Sequence, residues 1–116
     1  MNLDSDATFA ALIKAEIDSF KEFHQLLQQE QGALINTDAD QLLQLATRKS
    51  ELIEKLAGFS AQRNRQMTAA GGENNAAGIA TFLDTIKARA ETRELWGKLL
   101  DLARDVEQIY HSNGIL

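Results

Sequence analysis

Cysteine and proline are both absent from this 116-residue chain, and its aromatic set is small: one tryptophan, one tyrosine and five phenylalanines. Without cysteine there is no disulfide framework, no thiolate metal site and no cysteine nucleophile. Without proline, nothing interrupts the hydrogen-bond ladder of a long helix. No apolar run approaches the roughly twenty residues that a bilayer-spanning helix needs, and the amino terminus lacks the basic, apolar and small-residue succession of a secretion signal. These absences point to a soluble, cytoplasmic protein.

What the chain has in quantity is Leu, Ala, Gln, Glu and Lys, whose side chains lose little rotamer freedom in a helix. The fold class read from this is all-α: an antiparallel bundle of three long helices, with a short extra helix near 79–87. One hundred and sixteen residues suit a single helical-bundle domain over 1–116, and a second core is not expected. A mobile Gly/Asn/Ala connection at about 70–78 is the only low-complexity break.

Charge is uneven around the net value of −5. Residues 1–40 carry eight acidic residues against two lysines, and residues 41–70 carry five basic residues against two glutamates. Arg48, Lys49, Lys55, Arg63 and Arg65 are interspersed with Glu51 and Glu54. They do not form the concentrated basic face that phosphate neutralisation requires, so nucleic acid is not an expected partner. A charge complement between the first and second helices is the simpler reading.

Along the chain, Phe9, Ile13, Ile17, Phe20, Phe23 or His24, Leu27 and Leu34 keep to one side of a first helix expected over about 6–36. Its seam weakens at Glu30, Gln31 and Gly32, which is read as a bend, a polar layer, a partner contact or, most simply, a slightly frayed last turn. Asn36 is then the expected terminator, Thr37 a cap acceptor, and Asp38 and Asp40 favourable charges at the start of a second helix over about 38–69. In that helix Leu42, Leu45, Lys49, Leu52, Leu56 and Phe59 alternate at three- and four-residue steps, the heptad pattern. Lys49 is its one charged member. Its stem can lie along the leucines while the ammonium reaches solvent or a carboxylate on the first helix, which makes it a register-fixing lysine rather than a catalytic one.

After the glycine- and asparagine-rich stretch, Ile79, Phe82, Leu83 and Ile86 make a two-turn apolar face. The phase changes at Lys87 to Ala90, where a kink or break is expected. Leu95, Leu99, Leu102, Val106 and Ile109 then resume a strict heptad, widened by Trp96, Ala103 and Tyr110. That seam is the strongest in the chain.

Groups for catalysis are not found in recognised spacings. His24 and His111 have no second ligand at a metal-binding interval, and no Glu has a His three residues later, as di-iron bundles require. The glycines of 70–78 are not followed by the Gly-Lys-Ser or Gly-Lys-Thr of a phosphate loop. The expectation is a non-enzyme with no catalytic residue, no cofactor and no metal. Trp96 reads as core rather than as the wall of a small-ligand pocket.

Two stretches carry a family resemblance. The first is the Asn-x-Asp link of Asn36 and Asp38 with the following Leu42, Leu43, Leu45, Lys49, Leu52, Ile53 and Leu56. The second is the ending His-Ser-Asn-Gly-Ile-Leu over 111–116. Together they resemble the FlgN family of flagellar type III export chaperones. The resemblance implies a small acidic cytoplasmic chaperone that binds hook-associated proteins before export and delivers them to the export apparatus, covering their helical terminal segments by helix-in-groove packing. It implies no nucleotide hydrolysis. Members continue past the Asn-Gly turn into a further amphipathic helix and a tail, whereas this chain stops at Leu116. Asn113 and Gly114 therefore read either as a hinge leading into a further segment or as a turn that folds Ile115 and Leu116 back on the bundle.

The partner-binding residues expected on this reading are Leu99, Leu102, Val106, Ile109, Tyr110, Asn113, Gly114, Ile115 and Leu116, as an open seam on the last long helix. The competing reading is a self-associating structural coiled-coil or bundle protein with no export client.

Overall fold

The computed structural model describes residues 5–73 and 75–115. They form four helices: α1 (Ser5–Ile35), α2 (Ala39–Ala69), α3 (Ala76–Thr85) and α4 (Ala90–Ile115), with no strand among the described residues.

All three connections begin with the same device. The second residue after each of the first three helices takes a left-handed conformation, and the next amide reaches back five residues to an orphan carbonyl, which is the Schellman arrangement. After α1 this is Thr37 (φ 54°), with Asp38 N donating to Ala33 O at 2.8 Å. After α2 it is Gly71 (φ 82°), with Gly72 N donating to Met67 O at 2.8 Å. After α3 it is Lys87 (φ 53°), with Ala88 N donating to Leu83 O at 2.9 Å.

The cap assignment in the first hairpin shifts by one residue from the sequence reading. Thr37 is the left-handed residue and Asp38 is the cap, its carboxylate accepting from Gln41 N at 3.1 Å. The expected fraying before it is absent, because α1 stays helical through Ile35. Residues 76–78, assigned from sequence to the connection, are the first turn of α3, held by Asn75 Oδ1, which accepts from Gly78 N at 2.7 Å. The phase change at 87–90 is a full break between two helices. Asp6, on the first turn of α1, closes it by accepting from Arg89 N at 3.3 Å.

The two long connections set the directions. Pairs Glu16 with Arg63 and Glu30 with Lys49 show α1 and α2 running antiparallel. Pairs Phe9 with Trp96 and Phe23 with Tyr110 show α4 running parallel to α1. The centre of the molecule is α1. It packs along both α2 and α4, whereas the backbones of α2 and α4 stay further apart, and α3 packs beside α2. The overall extents are 53 × 22 × 20 Å.

Apolar side chains form two clusters along α1. One gathers Phe9, Ile13, Ile17 and Leu99 with Met67, Phe82 and Leu83. The other gathers Phe23, Leu26 and Leu27 with Leu52 and Val106, and the half-buried Phe20 and Leu102 touch both. Each fully buried side chain of this size stabilises the fold by about 1.5–3 kcal/mol relative to exposure. The buried residues of α2 are Leu52 and Met67 alone, so α2 keeps most of its circumference in solvent.

Candidate partner interface

The seam of α1 is a continuous heptad once charge is allowed into it: Phe9, Ile13, Glu16, Phe20, Phe23, Leu27, Glu30 and Leu34. Two carboxylates thus face inward, and each meets a cation from the seam of α2. Glu16, 1% exposed, binds Arg63 through two parallel hydrogen bonds of 2.7 and 2.9 Å. Glu30 Oε2 accepts from Lys49 Nζ at 2.7 Å. Each cation in turn lies against an aromatic ring of α4. The Arg63 guanidinium is 5.5 Å from the Trp96 ring centre and the Lys49 ammonium is 4.9 Å from that of Tyr110. A phenylalanine of α1 completes each layer, Phe9 beside Trp96 and Phe23 beside Tyr110, both at 6.3 Å between ring centres.

The two layers are related by a shift of two heptads on every helix. Phe9, Glu16, Arg63 and Trp96 in one correspond to Phe23, Glu30, Lys49 and Tyr110 in the other. Desolvating a carboxylate and a cation costs several kcal/mol per ion, and the pair offsets it through close geometry and the adjacent ring quadrupole. Slipping α2 by one heptad would strand all four charges opposite apolar residues. The layers therefore fix the α1–α2 register and tie α4 to it.

Lys49 was legible as a register-fixing residue. The seam interruption at Glu30 is a polar layer and not a frayed turn, and Glu16 and Arg63 form a second one that the sequence does not announce, since polar residues at seam positions look like interruptions until their partners are known. The available signal was the shared spacing of Glu16 to Glu30 and of Lys49 to Arg63.

The residues expected on an open seam separate into two groups. Leu99 and Val106 are buried, and Leu102 and Ile109 are half-buried against the core clusters. Tyr110 is 49% exposed, and Gly114 and Ile115 are also exposed. Leu116 lies outside the described residues. Asn113 does not form a turn. It occupies the heptad position after Ile109, is buried, and donates from Nδ2 to Leu27 O and to Glu30 Oε1, each at 2.9 Å. α4 accordingly runs straight through the Asn113–Gly114 pair to Ile115. Its inward hydrogen bonds hold the asparagine where a left-handed turn would pull it out.

Three of the exposed large apolar side chains mark a different strip. Because α2 and α4 diverge behind α1, Ile53 (42% exposed) on α2 and Leu100 (47% exposed) and Tyr110 on α4 stay open to solvent. On α2, Ala46, Ala57 and Ser60 lie on the same flank as Ile53, within about 40° of it at ~100° per residue. Ala103 lies between Leu100 and Tyr110 on α4. Small residues between large ones leave room for a close-packed third element.

Elsewhere the surface offers less. A cleft of about 530 Å³ at the α3–α4 break mixes Asp6, Glu91 and Glu94 with Lys14, Lys87, Arg89 and Lys98, so the two signs of charge are interspersed in it. Trp96 is half-buried, with Phe9 on one side and the Arg63 guanidinium on its ring. Among the described residues no group of His, Cys, Asp or Glu is arranged to hold a metal ion, and no helix is long and apolar enough to cross a membrane.

No curated protein and no solved structure matches the chain. A family model does, over its whole length. With residues 1–116 matched by the model described as FlgN protein, the chain belongs to the FlgN family.

Proposed function

We propose that this protein is a cytoplasmic export chaperone that binds hook-associated flagellar proteins before their type III export and hands them to the export apparatus. Family membership supports a flagellar chaperone role. The observation that carries the client-binding part is the strip between α2 and α4, where Ile53, Leu100 and Tyr110 are left exposed beside small residues of both helices. An amphipathic client helix laid between α2 and α4 would bury these three residues and turn a three-helix arrangement into a four-helix one. Tyr110, Gly114 and Ile115 are its contacts near the end of α4. Leu99, Leu102, Val106 and Ile109 serve from inside by holding α4 in place, and Asn113 serves at the boundary.

Calorimetric titration of the full chain with the terminal helical segments of the hook-associated proteins from the same organism tests this. Saturable 1:1 binding is the expected result, and no detectable heat with any segment would overturn it. The same exposed strip supports a second reading, a self-associating structural bundle. Sedimentation over a concentration range separates the two, because a tight symmetric oligomer that buries Ile53, Leu100 and Tyr110 leaves no surface for a client.

A further inference from the structure

The network around Glu30 has one hydrogen-bonding group left over. Asn113 is 6% exposed; both its Nδ2 protons are committed to α1, while its Oδ1 is buried with no partner among the described residues. A buried acceptor left unpaired costs on the order of 1–3 kcal/mol, and Asn64 Oδ1 is the other such atom among the described residues. Asn113 is one of the residues lining a shallow cleft of about 200 Å³ between the end of α4 and the α1–α2 hairpin, with Glu30, Leu34, Lys49, Tyr110 and Gly114, and its Oδ1 is closed off from solvent there. Exposed Ile35 and Ile115 belong to the same end of the bundle.

We infer that this cleft is a socket for a carboxamide side chain, Gln or Asn, projecting from a partner polypeptide. The free groups of the cleft select that chemistry. Asn113 Oδ1 accepts, and the Lys49 ammonium, with one proton on Glu30, has others to donate. A carboxamide supplies an N–H for the first and a C=O for the second. A carboxylate would meet Asn113 Oδ1 with a second acceptor, and a guanidinium would be repelled by Lys49, whose charge Glu30 and the Tyr110 ring hold in place. In a helical partner the backbone amides are spent on the helix itself, which leaves side chains as the source of the group. Gly114 lets the entering side chain approach α4, since a Cβ there meets nothing within 4 Å. Tyr110, half-exposed, is the wall that gives way. The socket deepens the chaperone reading and rests on it for the identity of the partner, but not for its chemistry.

The test uses the full chain labelled with ¹³C and ¹⁵N, and reads the Asn113 side-chain ¹³Cγ and ¹⁵Nδ2 signals. In its first arm, propionamide, propionate and methylguanidinium are titrated separately. A saturable shift with propionamide alone is expected; equal responses to all three, or none, overturn the socket whatever the client. In the second arm, the terminal segments of the hook-associated proteins are compared with versions in which each Gln or Asn in turn is replaced by Leu. One replacement is expected to weaken binding by about tenfold, the scale of one hydrogen bond to a buried acceptor, and to abolish the Asn113 shift. Segments that bind with no such position and no Asn113 shift overturn the socket and leave the chaperone reading standing. Segments that do not bind, alongside a propionamide response, overturn the chaperone reading and leave the socket standing. Gly114→Leu, which fills the cleft from a position where a side chain has space, is expected to remove both responses while thermal unfolding stays unchanged or rises. Persistence of the responses in that variant counts against the socket.

Discussion

Glu16 of α1 and Arg63 of α2 meet through two parallel hydrogen bonds in the seam of the bundle, with the carboxylate side chain almost wholly out of solvent and the guanidinium lying over Trp96. A pair in this position specifies an alignment more than it adds stability, because its electrostatic gain is largely consumed by desolvation.

Removing one partner is therefore expected to cost more than removing both. Glu16→Ala should destabilise the protein by about 3–5 kcal/mol by leaving Arg63 uncompensated, while the double change Glu16→Leu with Arg63→Met should recover most of that loss. Urea unfolding of the single and double variants measures both. A double variant no more stable than Glu16→Ala would contradict the assignment.

The second layer should respond differently to charge exchange. Swapping Glu16→Arg with Arg63→Glu keeps the interaction in the first layer, and the double variant should regain much of what each single change loses. In the second layer, Glu30 accepts from both Lys49 and Asn113. The swap Glu30→Lys with Lys49→Glu places an ammonium against the Asn113 amide protons and should recover less. Double-mutant cycles on the two layers compare them directly.

The helix ends give a set of opposed glycine effects. Thr37 and Lys87 hold left-handed conformations that favour glycine, so Thr37→Gly and Lys87→Gly should each stabilise by about 0.5–1 kcal/mol. Gly58 and Gly97 lie inside helices with open space around them, and Gly58→Ala and Gly97→Ala should stabilise by about 0.5–1 kcal/mol. Gly78→Ala should do the reverse, because a Cβ there overlaps the Glu73 carbonyl oxygen and forces the α2–α3 connection to move. Thermal unfolding of the five variants gives the signs.

The proposed client strip separates from the fold by mutation. Ile53→Glu and Leu100→Glu should change unfolding stability by no more than about 0.5 kcal/mol, as surface substitutions do, yet weaken client binding at least tenfold. Gln44, exposed and half a turn around α2 from Ile53, is the control, and Gln44→Glu should bind normally. Equal losses at all three positions would argue for general damage instead of a strip.

Much of the architecture follows from the sequence alone. The absence of proline, the heptads of Leu42 to Phe59 and of Leu95 to Ile109, and the phase change at 87–90 determine helices, a hairpin and a late break, because each is a local property of backbone propensity and side-chain period. Lys49 was readable as a structural charge for the same reason. Periodicity says only that residues share a stripe, and it is silent on how many neighbours that stripe has. Tertiary structure decided that α1 lies between α2 and α4, which turned the seam of α4 inward and left Ile53, Leu100 and Tyr110 outside. It also decided the meaning of Glu16 and Asn113. Glu16 is an interruption until Arg63, 47 residues away, supplies the counter-charge, and Asn113 is a turn residue until Leu27 and Glu30, 86 and 83 residues away, take its amide protons. A buried polar group acquires its role from partners distant in sequence, and only the packed chain brings those partners together.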